Sequence, residues 1–250
     1  MSEHRREVVL SVKDVHITYR IVRPFAFLSF SRKNRKKPKI FRAVKGVSFD
    51  VYHGEIVGLI GKNGSGKSTL LRAIADIYSP DEGSIDTHGN TVGLMAIGVG
   101  FVNDLSGRDN IYLAGMLLGF NKKQVEEKID EIIEFSELTD FIDEPVQSYS
   151  TGMYSKLAFS ITAIMETDIM LVDETLSVGD RRFRQKSSAK MLELIHDENK
   201  TVIVVSHSSD VLRDLCNRVI WLEDGQIRME GDTETVLRAY EEFMDRKDSK

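Results

Sequence analysis

Cysteine is nearly missing from this chain: Cys216 is the only one in 250 residues. No disulfide can close within the chain, and a reducing compartment is its natural setting. No apolar run approaches the roughly 18 residues that a membrane-spanning helix requires. The first residues, Met1-Ser2-Glu3-His4-Arg5-Arg6-Glu7, are polar and lead into no apolar segment of signal-peptide length, so no export leader is expected. A membrane role would therefore require docking onto something that crosses the bilayer. Internal repeats and low-complexity linkers are lacking as well. So is a basic excess: the net charge of −5 argues against a chain-wide nucleic-acid surface, though it leaves room for a local basic patch.

What is present is an ordinary globular balance, 41% hydrophobic and 29% charged, enough for a sizeable core. The segment from Val8 to Tyr19 alternates at near-period-two spacing and predicts a strand; a second is expected over Ala43–Val51 and a short β-branched one over Glu55–Ile60. A helix is expected over Ser68–Ile77. Asn121 is a candidate N-cap for a helix with Val125, Ile129, Ile132 and Ile133 on one stripe. Further helices are predicted near Met153–Met165, Phe183–Asn199 and Thr233–Met244. The unalternating runs Ile169–Val172 and Thr201–Val205 are what a sheet covered on both faces requires. This order implies an α/β fold with a mainly parallel sheet, and the alternating N-terminal strands suggest a smaller antiparallel sheet beside it.

Gly61-Lys62-Asn63-Gly64-Ser65-Gly66-Lys67-Ser68 fills every fixed position of G-x-x-x-x-G-K-[ST], after a β-type run and before a helix. Its glycines let backbone N–H groups turn inward around phosphate oxygens, and the helix behind adds its positive dipole end. Lys67 would bridge the β- and γ-phosphates, the Ser68 hydroxyl would hold Mg²⁺, and Thr69 follows at the same site. The apolar strand ending in Asp173-Glu174 would deliver Asp173 to the Mg²⁺ shell and Glu174 to the attacking water. His207, after the strand Thr201–Val205, leaves the same sheet edge. It would hydrogen-bond the γ-phosphate and help position the water; a structural role is its alternative.

Tyr149-Ser150-Thr151-Gly152-Met153, placed between the phosphate loop and Asp173, resembles the signature sequence of the ATP-binding cassette (ABC) transporter family. That resemblance implies that Ser150 and Gly152 bind the γ-phosphate of ATP held by a second subunit. Ser177-Val178-Gly179-Asp180 resembles the family's interface loop, with Asp180 in its acidic position. Tyr19 ends the first strand where the family places an adenine-stacking aromatic; a core or edge tyrosine is the other reading. The similarity covers about residues 8 to 245 and implies a single cassette: an antiparallel β region over 8–54, an ATP-binding core over 55–95 and 168–245, and a helical signature region over 104–165.

The family's usual glutamine between phosphate loop and signature has no counterpart here. The stretch that should hold it reads Met95-Ala96-Ile97-Gly98-Val99-Gly100-Phe101, and the first glutamine is Gln124. Gly98–Phe101, Leu105–Ile111, Glu134–Leu138 and Leu176–Asp180 look like the ATPase subunits that export bacterial cell-surface polysaccharides, and teichoic-acid exporters in particular. The resemblance implies MgATP as cofactor and a head-to-tail dimer with a second copy. It also implies a polytopic permease that moves a lipid-linked polysaccharide, and a peripheral place on the cytoplasmic face of the membrane. A soluble ABC-type ATPase acting on ribosome or DNA is the competing class, although no nucleic acid is expected as partner.

One insertion stands apart. Residues 22–39 are aromatic first (Phe25, Phe27, Phe30) and cationic second, with six Lys or Arg among the eight residues from Arg32 to Lys39. Contact with anionic lipid headgroups or with the permease is one reading, and a solvated loop is the other.

Overall fold

The computed structural model describes residues 7–21, 39–95, 100–173, 179–197 and 199–248. Most of the basic insertion (22–38), the stretch 96–99 where the family glutamine would stand, and Glu174 with the four residues after it lie outside the described residues.

Strand β1 (Val8–Ile21) pairs antiparallel with β2 (Lys39–Tyr52) on one side and β4 (Glu82–Asp86) on the other, giving a three-stranded sheet. The inward residues of β1 change parity along the strand, from Leu10 and Val12 to Val15 and Ile17. A register shift between Val12 and Val15 accounts for this, with Asp14 in the left-handed region at φ 47°. An extra residue in one strand resets which side chains face the core.

The second sheet has six strands: β3 (Ile56–Ile60), β5 (Val92–Met95), β6 (Ile169–Asp173), β7 (Thr201–Val205), β8 (Arg218–Glu223) and β9 (Gln226–Asp232). Their order is β5-β6-β7-β3-β8-β9, parallel throughout except for β9, which returns antiparallel along β8. Every residue of β7 is buried, as its unbroken apolar run predicts. The β8–β9 hairpin was not expected from apolar periodicity, yet Asp224-Gly225 between the strands, both at positive φ, is a strong two-residue hairpin signal.

Helices α1 (Lys67–Ile74), α5 (Arg181–Ile195), α6 (Ser209–Leu215) and α7 (Thr233–Asp248) accompany this sheet. Helices α2 (Gly107–Leu117), α3 (Lys122–Ser136) and α4 (Thr151–Met165) form a cluster with its own core of Ile111, Val125, Ile132, Leu157 and Ile161. Helix α4 also turns Phe159 and Ala163 into the core beneath the six-stranded sheet, so it joins the helical cluster to the strands. Asn121 caps α3 as its spacing predicts, and Gln124 completes a capping box by accepting from the Asn121 N–H at 2.8 Å. Helix α2 went unpredicted although Ser106 and Asp109 are spaced as a cap, and Ser106 does accept from the Asp109 N–H.

Four expected helices have different ends, and α7 runs on past Met244 to Asp248. Helix α1 stops at Ile74, where Asp76 turns to φ 56°, and α5 stops at Ile195. Helix α4 starts at Thr151 because Ser150 supplies the cap.

The two sheets are tied by one largely buried ion pair. Arg218, on β8, donates to both oxygens of Glu55 at 2.7 and 3.0 Å and to the Asp50 carbonyl at 2.6 Å. Arg218→Met is expected to lower stability by about 3–5 kcal/mol, because the Glu55 carboxylate, only 7% exposed, loses its partner. Urea denaturation would check this; a change below about 1 kcal/mol would mean that water replaces the guanidinium there.

Candidate nucleotide site

The phosphate loop leaves β3 and enters α1 with no slack. At Gly61 a Cβ would lie 2.1 Å from the Leu222 carbonyl oxygen, and at Gly66, φ 106°, it would lie 2.4 Å from that of Ala43. Backbone from β8 and from β2 therefore presses on the loop from two directions, and only glycine fits either place. The Lys67 side chain is 8% exposed. Its ammonium donates to the carbonyls of Gly61 at 2.6 Å and Lys62 at 3.1 Å. The Lys62 carbonyl also accepts from the Ser65 N–H at 3.1 Å. The Ser65 hydroxyl oxygen is buried with no hydrogen-bond partner.

An open cleft brings half of the expected site residues together. Asn63, Gly64, Gly66, Lys67, Ser68 and Thr69 line it from the loop and α1; Asp173 joins them from the end of β6, and Val205 and His207 from the end of β7. The parallel pairing of β6 with β7, which sets Asp173 opposite Val205, puts these groups on one sheet edge. Among the described residues no cluster of three or more His, Cys, Asp or Glu could hold a metal by itself. The available set, the Ser68 hydroxyl and the Asp173 carboxylate in a cleft lined by inward-turned loop glycines, suits a hard cation completed by phosphate oxygens and water. A second groove is lined by Phe101, Leu117, Leu118, Ile161 and Thr162 among others, with no charged side chain to meet a phosphate.

Other expected residues sit elsewhere. Gly61, Lys62 and Ser65 belong to the loop but do not line the cleft. Ser150 caps α4, accepting from the Met153 N–H at 3.2 Å, and it stands exposed with Gly152 beside it, away from this cleft. Asp180 caps α5 through the N–H groups of Arg182 and Phe183 and pairs with Lys156 of α4 at 2.8 Å. The hydrogen bond from Lys156, with the Phe183 N–H, lowers its carboxyl to about 2. Lys156 reaches Glu137 at 3.1 Å as well, so it bolts the signature helix to both α3 and the start of α5. Glu174 lies outside the described residues.

Tyr19 is half-buried. Its hydroxyl lies 3.2 Å from the Thr69 hydroxyl and its ring meets Tyr78 edge-on at 6.2 Å. The aromatic that lines the cleft is Phe41, 44% exposed and directly opposite Tyr19 in the β1–β2 ladder. Sequence reasoning missed Phe41, since nothing in a lone strand residue shows that its strand passes the phosphate loop.

The family model for ABC transporters matches residues 44–177, more than half of the chain. The chain belongs to the ABC transporter family. Its relatives include the teichoic acids export ATP-binding protein TagH of Lactococcus lactis subsp. lactis (strain IL1403), 45% identical over 211 residues. That match takes in 84% of this chain and 45% of the relative. The O-antigen export system ATP-binding protein RfbB of Klebsiella pneumoniae is 41% identical over 208 residues, covering 83% of this chain and 84% of the relative. This ABC chain thus spans about half the length of the Lactococcus relative. Among solved structures, the dimeric ATP-binding cassette MJ0796, in a post-hydrolysis state bound to ADP and Pi, superposes with a TM-score of 0.65. It is 22% identical, and the match covers 90% of this chain and 98% of that one. The fold is that of an ABC cassette.

Proposed function

We propose that this ABC chain is the ATP-hydrolysing subunit of an exporter that moves a lipid-linked cell-surface polysaccharide, of the teichoic-acid or O-antigen kind, through a separate transmembrane permease. The observation that carries the ATPase part is the convergence of Lys67, Ser68, Asp173 and His207 on one cleft around the glycine loop. The exporter part rests on the names and identities of the relatives.

Lys67, already among loop carbonyls, would turn its ammonium to the β- and γ-phosphates. Ser68 and Asp173 would hold Mg²⁺, which supplies charge neutralisation on the phosphate oxygens. Glu174 would polarise the attacking water and His207 would hold it in line. Phe41, which lines the cleft, would meet the nucleoside, with Tyr19 opposite it in the β1–β2 ladder. Ser150, Gly152 and the N-terminus of α4 would complete the site of a second copy across a head-to-tail dimer, with Asp180 fixing that helix to its own core. No described helix is long and apolar enough to cross a membrane. The proposed place of the chain is the cytoplasmic face, docked on the permease.

Affinity purification of the tagged full chain from its native membranes tests the export assignment. A polytopic membrane protein is expected to come down with it. Recovery with ribosomes or DNA and without such a protein would overturn export in favour of a soluble ATPase.

A further inference from the structure

The last helix reaches the phosphate loop through a cluster of two cations and two aromatic rings. Trp221, 3% exposed on β8, has the Arg228 guanidinium 4.6 Å from its ring centre. The same guanidinium lies 4.0 Å from the ring centre of Phe243 on α7, and the two rings are 5.2 Å apart. Arg228 is held from the side by an ion pair with Glu223. Phe243 then carries a second cation: the Lys62 ammonium, 5.9 Å from its centre. A cation over a ring face is drawn to the negative pole of its quadrupole, so each ring fixes the charge above it.

Lys62 is a sensitive place to fix. Its carbonyl accepts both the Ser65 N–H and the Lys67 ammonium, each at 3.1 Å, so it sets the curl of the loop and the aim of the catalytic cation together. Its neighbour Gly61 is pinned against the Leu222 carbonyl, one residue beyond Trp221. The loop is thus held at its start by β8 backbone and one residue later by an α7 side chain. Helix α7 is itself anchored, with Val236, Leu237 and Tyr240 in the core, and Glu234 and Glu241 paired to Arg213 of α6 at 2.9 and 3.1 Å.

Resting on the nucleotide function proposed above, we infer that Phe243 is a positioning residue for ATP. It holds Lys62 by its ring face, and α7 thereby becomes an input to nucleotide affinity. Anything that shifts the outer end of α7 changes the loop without touching the cleft.

A double-mutant cycle on the full chain tests this, with ATP affinity measured by calorimetry. Phe243→Leu keeps an apolar side chain and removes the ring face; Lys62→Gln removes the charge and keeps most of the length. Phe243→Leu is expected to weaken ATP binding about two- to fivefold in the wild-type background and to have no further effect in Lys62→Gln. Phe243→Tyr and Phe243→Trp, which restore a ring face, should return affinity to the wild-type value. Equal effects of Phe243→Leu in both backgrounds, or no effect in either, would overturn the coupling. If Phe243→Leu does not fold, Phe243→Met, which also lacks a ring, takes its place in the same cycle: a loss of affinity confined to the Lys62 background supports the coupling, and an equal loss in both backgrounds, or none in either, sinks it. Failure of the unmodified chain to bind ATP would instead remove the nucleotide function on which the inference stands.

Discussion

Glu174→Gln is expected to leave ATP bound while turnover falls by at least about a hundredfold, the usual size of a general-base contribution. Glutamine keeps the shape and the hydrogen bond to water but cannot take the proton as water attacks the γ-phosphate. Glu174 follows Asp173 directly in the chain. Asp173 ends β6 at the cleft that holds Lys67 and Ser68. Because binding depends on the loop and Mg²⁺ rather than on this carboxylate, affinity should stay within a fewfold of the native value. With hydrolysis stopped, ATP should also collect the chain into dimers visible by size-exclusion chromatography. Steady-state hydrolysis and calorimetric binding on one preparation decide the matter. Near-normal turnover would refute Glu174 as the base.

Lys67→Ala should fail one step earlier, at binding. In the cleft the ammonium would make charge-assisted contacts to two phosphates, each worth about 1.5–3 kcal/mol, so ATP affinity should fall by about a hundredfold or more. Arginine is not expected to rescue it. A planar fork is a poor replacement for a compact ammonium on a side chain only 8% exposed and wrapped by the Gly61 and Lys62 carbonyls. Calorimetric titration with ATP checks the loss, and comparison of the unfolding midpoints shows whether the loop itself has come apart. Affinity within tenfold of native, in a folded variant, would mean that the loop N–H groups and Mg²⁺ hold the phosphates without Lys67. Together the two variants separate capture of the triphosphate from its cleavage.

Much of the cleft is legible in the sequence. The glycine spacing from Gly61 to Ser68 is a backbone requirement, and Leu222 and Ala43 pressing on Gly61 and Gly66 are the contacts that enforce it. The strands carrying Asp173 and His207 were legible because residues buried on both faces must be apolar without alternation. Short helices such as α6, and the edge strands β4 and β9, were not. Their side chains are largely exposed, so their apolar pattern is thin and pairing with a neighbour decides their state. Helix α2 and the β8–β9 hairpin did carry local signals, in Ser106–Asp109 and Asp224-Gly225, that periodicity alone passes over.

The sequence, then, carried the features that depend on neighbours along the chain: the glycine loop, the apolar strand that ends in acid, and the Ser150 cap of α4. Contacts between residues far apart in sequence were decided by the tertiary structure. The β1–β2 pairing sets Phe41 opposite Tyr19, β6 beside β7 joins Asp173 to the His207 edge, and the packing of α7 lays Phe243 under Lys62. Strand order and helix docking are fixed by burial summed over whole faces, and no single residue type records that sum.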